Sequence, residues 1–324
     1  MKTSLSRWLW VILFASLAVG CKPKPPAAAS GIADSRTPSA LAPEFYPPRG
    51  FVWSGVTLAG HDMRYGVAAP PVRPRGHVLI LSPFGTPAEV SFELASRLME
   101  TGPKQSGGAT VWLLDLPGSG GSARIEGDLP EDYYTQLAPK VLNGFIRDVI
   151  RPTEARPLTL VAWGDAADLA LSPALQLPPQ SRRILWQTRF SQDVGSGSGQ
   201  KDWQRIPLNK PFRRADLTMA WQTANPDLRQ PQPGPDHSQA MNDARPDLRQ
   251  PAHLKRLNTP VLWILTPADP PAESRLCAQM SDCKALSLPA PGESDRALPA
   301  HLWQAEAPRE ALFDQAHAFR ALGQ

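Results

Sequence analysis

Apolar residues recur along this chain in two rhythms. Phe51 to Ala69 alternates apolar and polar positions around a turn at Ala59-Gly60-His61-Asp62, the signature of a β-hairpin. Continuous apolar runs follow at His77–Leu81, Thr110–Leu114, Leu158–Ala162, Ile184–Trp186, Pro260–Leu265 and Ala285–Leu288. Short unbroken runs of this kind predict strands covered on both faces, as in a mainly parallel sheet. Between them the spacing becomes helical: Phe92, Leu94, Ala95, Leu98 and Met99 within 89–102, and Leu137, Val141, Leu142, Phe145 and Val149 within 133–150. Residues 165–175 read as a helix leaving the third buried strand, and Pro308 to Leu322 as a closing helix bracketed by proline and Gly323. Strand, helix, strand in this order implies right-handed parallel crossovers and an α/β architecture with helices on both faces of the sheet.

The pattern fails between 188 and 250. Gly, Ser, Pro and Gln dominate there, with apolar islands around Trp203, Phe212 and Leu217 to Trp221, so this stretch is expected to be a cap or lid insertion. The hexapeptide Pro-Asp-Leu-Arg-Gln-Pro occurs at 226–231 and again at 246–251, too short and isolated to define a repeat fold.

The amino terminus carries an address. Lys2 and Arg7 precede an apolar run from Trp8 to Val19, and Leu17-Ala18-Val19-Gly20 leads into Cys21. A basic start, an apolar run and a small residue before the cut describe a secretory signal over 1–20, and the run falls short of the ~20 residues of a spanning helix. The segment resembles the bacterial lipoprotein signal, whose cysteine thiol is lipidated, although leucine stands four places before Cys21 rather than three. An ordinary cleaved signal with an incidental cysteine is the alternative. Lys22 in place of aspartate resembles lipoproteins sent to the outer membrane, so the expectation is a lipid-anchored protein facing the periplasm. Residues 21–48, opening Cys-Lys-Pro-Lys-Pro-Pro, hold too few large apolar side chains to pack and read as the tether to a domain at 49–322.

Composition adds less. Of 324 residues 42% are hydrophobic, enough for one large core. The net charge of +4 drops once Lys2 and Arg7 leave, to 32 cationic against 30 acidic side chains. With no block of like charge, nucleic acid is not an expected partner. Cys277 and Cys283 fit an oxidising compartment, where a short-loop disulfide is expected and two free buried thiols are the alternative. His61, His77, His237, His253 and His317 lack metal-ligand spacing, and no phosphate loop or nucleotide fingerprint occurs. Neither metal nor cofactor is expected.

Five segments, in order, resemble the α/β-hydrolase superfamily. Leu81-Ser82-Pro83-Phe84-Gly85 looks like the loop whose backbone amide faces the oxyanion. Asp115-Leu116-Pro117-Gly118-Ser119-Gly120 resembles the Asp-x-Pro-Gly-x-Gly turn. Leu160-Val161-Ala162-Trp163-Gly164-Asp165-Ala166-Ala167 falls on the nucleophile elbow. Pro260–Asp269 is similar to the strand ending in the triad acid, and His301-Leu302-Trp303 to the triad histidine loop. The likeness covers most of residues 50–322.

At the elbow the chain departs from the superfamily. Ala162 and Ala166 flank Gly164 at two residues either side, which puts glycine where the nucleophilic serine, cysteine or aspartate stands. Asp165 as a shifted nucleophile would force Trp163 into a place that needs a small residue. Its other reading is a carboxylate favoured at a helix start. The resemblance implies that the amides of Phe84 and Asp165 form the oxyanion site, and that His301 and Asp269 are the candidate base and acid. An Asp flanked by Pro267 and Pro270 also suits a turn, and His301 a solvated loop. Ser82, where the family usually has histidine, is a candidate hydroxyl donor or the partner in a local turn bond. The chain looks like a member of an uncharacterised family of exported bacterial α/β-hydrolase-like proteins with glycine at the elbow. Three functions follow as expectations. One is an envelope protein that binds a small molecule without covalent chemistry. Another is a hydrolase or lyase in which His301 and Asp269 activate water or take a proton from an ester-like substrate. The last is a lipoprotein that holds an envelope partner with its Pro-rich lid.

Overall fold

In the computed structural model the described residues are 35–38, 41, 43–100, 108–186, 217–228, 235–265, 275–287 and 306–321. Residues from Ile32 onward form one compact unit. Its centre is an eight-stranded sheet in the order β1-β2-β4-β3-β5-β6-β7-β8. The strands are β1 (Val52–Leu58), β2 (His61–Ala68), β3 (His77–Leu81), β4 (Thr110–Leu114), β5 (Leu158–Trp163), β6 (Arg182–Trp186), β7 (Val261–Leu265) and β8 (Cys283–Ser287). β1 and β2 are the antiparallel hairpin, β2 joins β4 antiparallel, and every later pairing is parallel.

The unbroken apolar runs are explained by where alternate side chains go, since successive residues of a strand face opposite sides. Leu79, Leu81, Leu160, Ala162, Leu185 and Trp263 enter one core with Tyr133, Val141, Phe145 and Leu169. Val78, Ile80, Val161, Trp163, Trp186 and Ile264 enter the other with Phe92, Leu98, Trp221 and Phe313. Both faces are buried, so β3 and β5 are apolar apart from His77 and Thr159 near their amino ends.

Helix α1 (Phe92–Met99) follows a 3-10 turn at Ala88–Ser91, and α2 (Ala138–Gly144) is continued at both ends by π-turns, Tyr133–Leu137 and Phe145–Ile150. The helix after β5, α3 (Asp165–Leu169), is shorter than the expected 165–175. Beyond Leu169 the backbone closes turns onto Ser172 and Leu175 instead. In the 188–250 stretch the pattern predicts no regular element, yet the chain forms α4 (Leu217–Ala224), α5 (Pro235–Leu248) and, just beyond, α6 (Pro251–Leu254). The missed signal in α5 is Met241, Ala244 and Leu248, a sparse buried stripe at helical spacing. Pro246 lies inside α5 and disguised it, since an interior proline normally ends a helix. The last helix, α7 (Glu306–Ala321), places Phe313 and Phe319 in the core. Cys277 and Cys283 are joined in a disulfide with a Cα separation of 5.4 Å, fixing the start of β8 to the turn before it. No helix among the described residues is long and apolar enough to cross a membrane.

Candidate functional site

The parallel strands end on one edge of the sheet, and the loops after β3, β4 and β5 meet there. At the end of β5 the chain reverses into α3 on Gly164, with φ 60° and ψ −135°. An L side chain rarely adopts that backbone, and glycine adopts it without a Cβ penalty. The turn is tied on both sides, the Gly164 amide donating to the Trp186 carbonyl at 3.1 Å and the Ala167 amide to the Gly164 carbonyl at 3.1 Å. Ala162 and Ala166 are buried beside it. The bend between central strand and helix therefore carries no reactive side chain.

The next side chain does have a role. The Asp165 carboxylate accepts the Phe84 backbone amide, at 3.2 Å to Oδ1 and 3.4 Å to Oδ2, and the Tyr134 hydroxyl donates to Oδ2 at 2.9 Å. The Phe84 amide, expected to face an incoming oxyanion, is thus taken here by a carboxylate of the chain itself. The reason is local: one residue past the strained turn, at the first position of α3, the side chain projects toward the loop after β3. Burial, and then the negative charge of Asp165, push the Tyr134 hydroxyl well above the usual tyrosine range, and Tyr133 is raised for the same reasons. Tyr133 donates to the Pro117 carbonyl at 2.8 Å, and its ring meets Phe84 edge-on with centroids 5.8 Å apart. Neutral phenols and one carboxylate thus line this corner. Neither tyrosine stood out in the sequence, since both read as ordinary members of an apolar helix.

The loops are held by a buried charge cluster. Arg64, on β2, pairs with Glu89 at 2.8 Å and donates from Nε to Asp115 at 2.7 Å, and its guanidinium lies 3.9 Å from the Trp53 ring centroid. Burial alone would lower its pKa, but Asp115 and Glu89 outweigh that and hold it fully charged. Glu89 is raised by burial despite the arginine. Asp115 also accepts the amides of Ala88 at 3.1 Å and Gly121 at 2.9 Å. Its carboxylate thereby ties the loop after β3 to the turn after β4. A Cβ on Gly120 would lie 2.2 Å from that carboxylate, which explains the last glycine of the Asp-x-Pro-Gly-x-Gly turn. Ser82 pairs with Ser91 through their hydroxyls at 3.1 Å, so its partner is local.

Helices α4, α5 and α6 contact these loops and α3. Gln222 of α4 donates to the Gly85 carbonyl at 3.3 Å. Arg245 of α5 and the adjacent Arg249 reach the fully buried Asp168 of α3 at 3.1 and 2.6 Å. His253 of α6 touches the Leu171 carbonyl at 2.6 Å. The second hexapeptide copy supplies Arg249 to that contact, a use the sequence did not announce. His61 begins β2, and His77 begins β3, where its Nδ1 accepts the Trp112 indole N–H at 3.2 Å. Burial, then the charge of Arg156, lower His77 to about 4. His237 lies in α5 and His317 in α7. No cluster of three potential metal ligands occurs among the described residues. Asp269, His301 and Cys21 lie outside the described residues.

No protein-family model matches the chain, and no curated protein matches it in sequence. Solved structures do. A membrane phospholipase A described as a bacterial virulence factor is 16% identical, with 98% of this chain and 99% of that one covered and a TM-score of 0.56. A haloalkane dehalogenase from Agrobacterium tumefaciens is 14% identical over 87% and 99% of the two chains, TM-score 0.56. A monoglyceride lipase from Saccharomyces cerevisiae is 14% identical over 85% and 97%, TM-score 0.56. At these identities the likeness is one of fold.

Proposed function

Since this chain has the α/β-hydrolase fold yet turns from β5 into α3 on a glycine, we propose that it is a lipid-anchored envelope protein that binds a small molecule without covalent catalysis. The observation that carries this reading is the Asp165 carboxylate on the Phe84 amide. Covalent acyl transfer needs a nucleophile at the bend and amide donors aimed at the developing oxyanion. Gly164 supplies no nucleophile, and the Phe84 donor is engaged. A substrate oxyanion brought within ~4 Å of the Asp165 carboxylate would be repelled by about 4 kcal/mol at an effective dielectric near 20, roughly a thousandfold in affinity. The polarity of the site is inverted relative to an esterase, so ligands bearing amines or hydroxyls are favoured and anions disfavoured. An arginine-anchored cap and a tyrosine-lined corner suit retention of such a ligand.

The test is direct. Purified protein incubated with a fluorophosphonate should keep its unmodified intact mass, and acyl ester and thioester hydrolysis should stay at background in wild type and His301→Ala alike. Stoichiometric labelling at this edge of the sheet, or turnover lost in His301→Ala, refutes the proposal. A thermal-shift panel should rank primary amines and polyols above carboxylates and phosphates.

A further inference from the structure

The first described residues lie at the same edge of the sheet as the site. Ser35 accepts the Trp53 indole N–H at 2.9 Å and bonds Glu89. Trp53 is opposite Gly66, and Gly66 is opposite Leu113, next to the carboxyl end of β4. The Arg36 amide donates to Asn225 Oδ1 at 2.6 Å, and Asn225 Nδ2 donates back to the Arg36 carbonyl at 2.9 Å. Asn225 directly follows α4, the helix whose Gln222 holds the Gly85 carbonyl. This paired side-chain contact imitates a backbone bridge and fixes where the leader enters the domain: beside the cap, at the site end, and not beside the amino ends of the strands.

Chain length then limits orientation. The fourteen peptide steps from Cys21 to Ser35 span at most about 50 Å in any conformation. A unit of this size has a radius of gyration of roughly 19 Å, hence a radius near 25 Å, so following its surface to the opposite pole needs about 75 Å. We infer that the edge bearing Gly164, Asp165 and the cap helices faces the phospholipid bilayer to which Cys21 is anchored, while the exposed turn at 153–156 before β5 faces away. The inference rests on the anchor part of the functional reading and is independent of whether the site is catalytic. A bilayer is the occupant of this face, because the entry point and the available chain length both direct that edge toward it.

The experiment is lipid photo-cross-linking. The mature chain from Cys21 is coupled through that thiol, the one cysteine outside the disulfide, to a maleimide phospholipid in phosphatidylethanolamine and phosphatidylglycerol vesicles doped with a diazirine phospholipid. Chemical coupling makes the outcome independent of cellular lipidation, which is read separately by whether Cys21→Ser releases the protein from cell membranes. Cross-linked peptides should come from 217–228 and 239–250 at five-fold or greater excess over 151–157. A spacer of forty Gly and Ser residues after position 21 should bring the two yields within two-fold. Equal or reversed yields with the native leader overturn the inference, and so does an excess that the long spacer leaves unchanged.

Discussion

The Phe84 backbone amide points at the Asp165 carboxylate, 3.2 Å away, across the gap between the loop after β3 and the start of α3. The loop amide is engaged within the resting protein. The Tyr134 hydroxyl completes the arrangement from the π-turn before α2.

Ultraviolet titration reads that contact. Tyr134 is pushed above the usual tyrosine range by burial and by Asp165. Removing the negative charge removes part of what disfavours the phenolate, so Asp165→Asn should lower the Tyr134 ionisation, and that of Tyr133 with it. Absorbance at 295 nm across the alkaline range, with Tyr134→Phe to assign the transition, checks it. An unchanged curve would break the link between the two groups.

Gly164→Ala puts a Cβ on a backbone with φ 60° and ψ −135°. Strain of this kind costs about 1–3 kcal/mol, so the urea midpoint should fall with the slope unchanged. Ala162→Gly, at an ordinary strand position, serves as the comparison.

Arg64→Met should be the most damaging single change near the site. It leaves Asp115 and Glu89 buried with no cation, a loss of about 3–5 kcal/mol for an isolated buried charge, and Arg64→Lys should rescue little because one ammonium does not reproduce the fork that reaches both carboxylates. Chemical denaturation of the variants decides this.

Asp168→Asn should loosen α5. The carboxylate is fully buried between Arg245 and Arg249, and charge-assisted hydrogen bonds contribute about 1.5–3 kcal/mol each. Amide exchange in 235–248 should speed up by roughly one to two orders of magnitude, with exchange in β3 and β5 unaltered.

Stability should also depend on pH through His77. Its folded pKa is depressed to about 4 by burial, against about 6.5 in an unfolded chain. The unfolded state therefore binds the proton first, and stability present above pH 6.5 is lost as pH falls toward 4. His77→Gln should flatten that part of the profile, measured as urea midpoints from pH 7.5 to 4.

The strands were legible in the sequence because both faces of the sheet are buried, and Val78-Leu79-Ile80-Leu81 has no other stable use. The glycine bend was legible for a similar reason, since Ala162 and Ala166 mark the register of the turn. What could not be read was the partner of Asp165. Tyr134 and Phe84 lie 31 and 81 residues away from it, and nothing in local spacing brings them together. Helix α5 was hidden by Pro246 and by a composition whose polar residues serve Asp168 rather than a core. The Arg64 cluster escaped notice because its members are spread over three segments and each looks like a surface charge on its own.

The disulfide before β8 bears on quality control. β8 is the outer strand at its end of the sheet, largely exposed, and Cys283 at its first position is bonded to Cys277. Were that bond reduced, a frayed β8 would uncover the Val-Leu-Trp-Ile-Leu edge of β7, a short apolar template of the kind that recruits copies of itself into aggregates. Production in a reducing cytosol should therefore yield inclusion bodies, whereas export to an oxidising compartment should yield monodisperse protein.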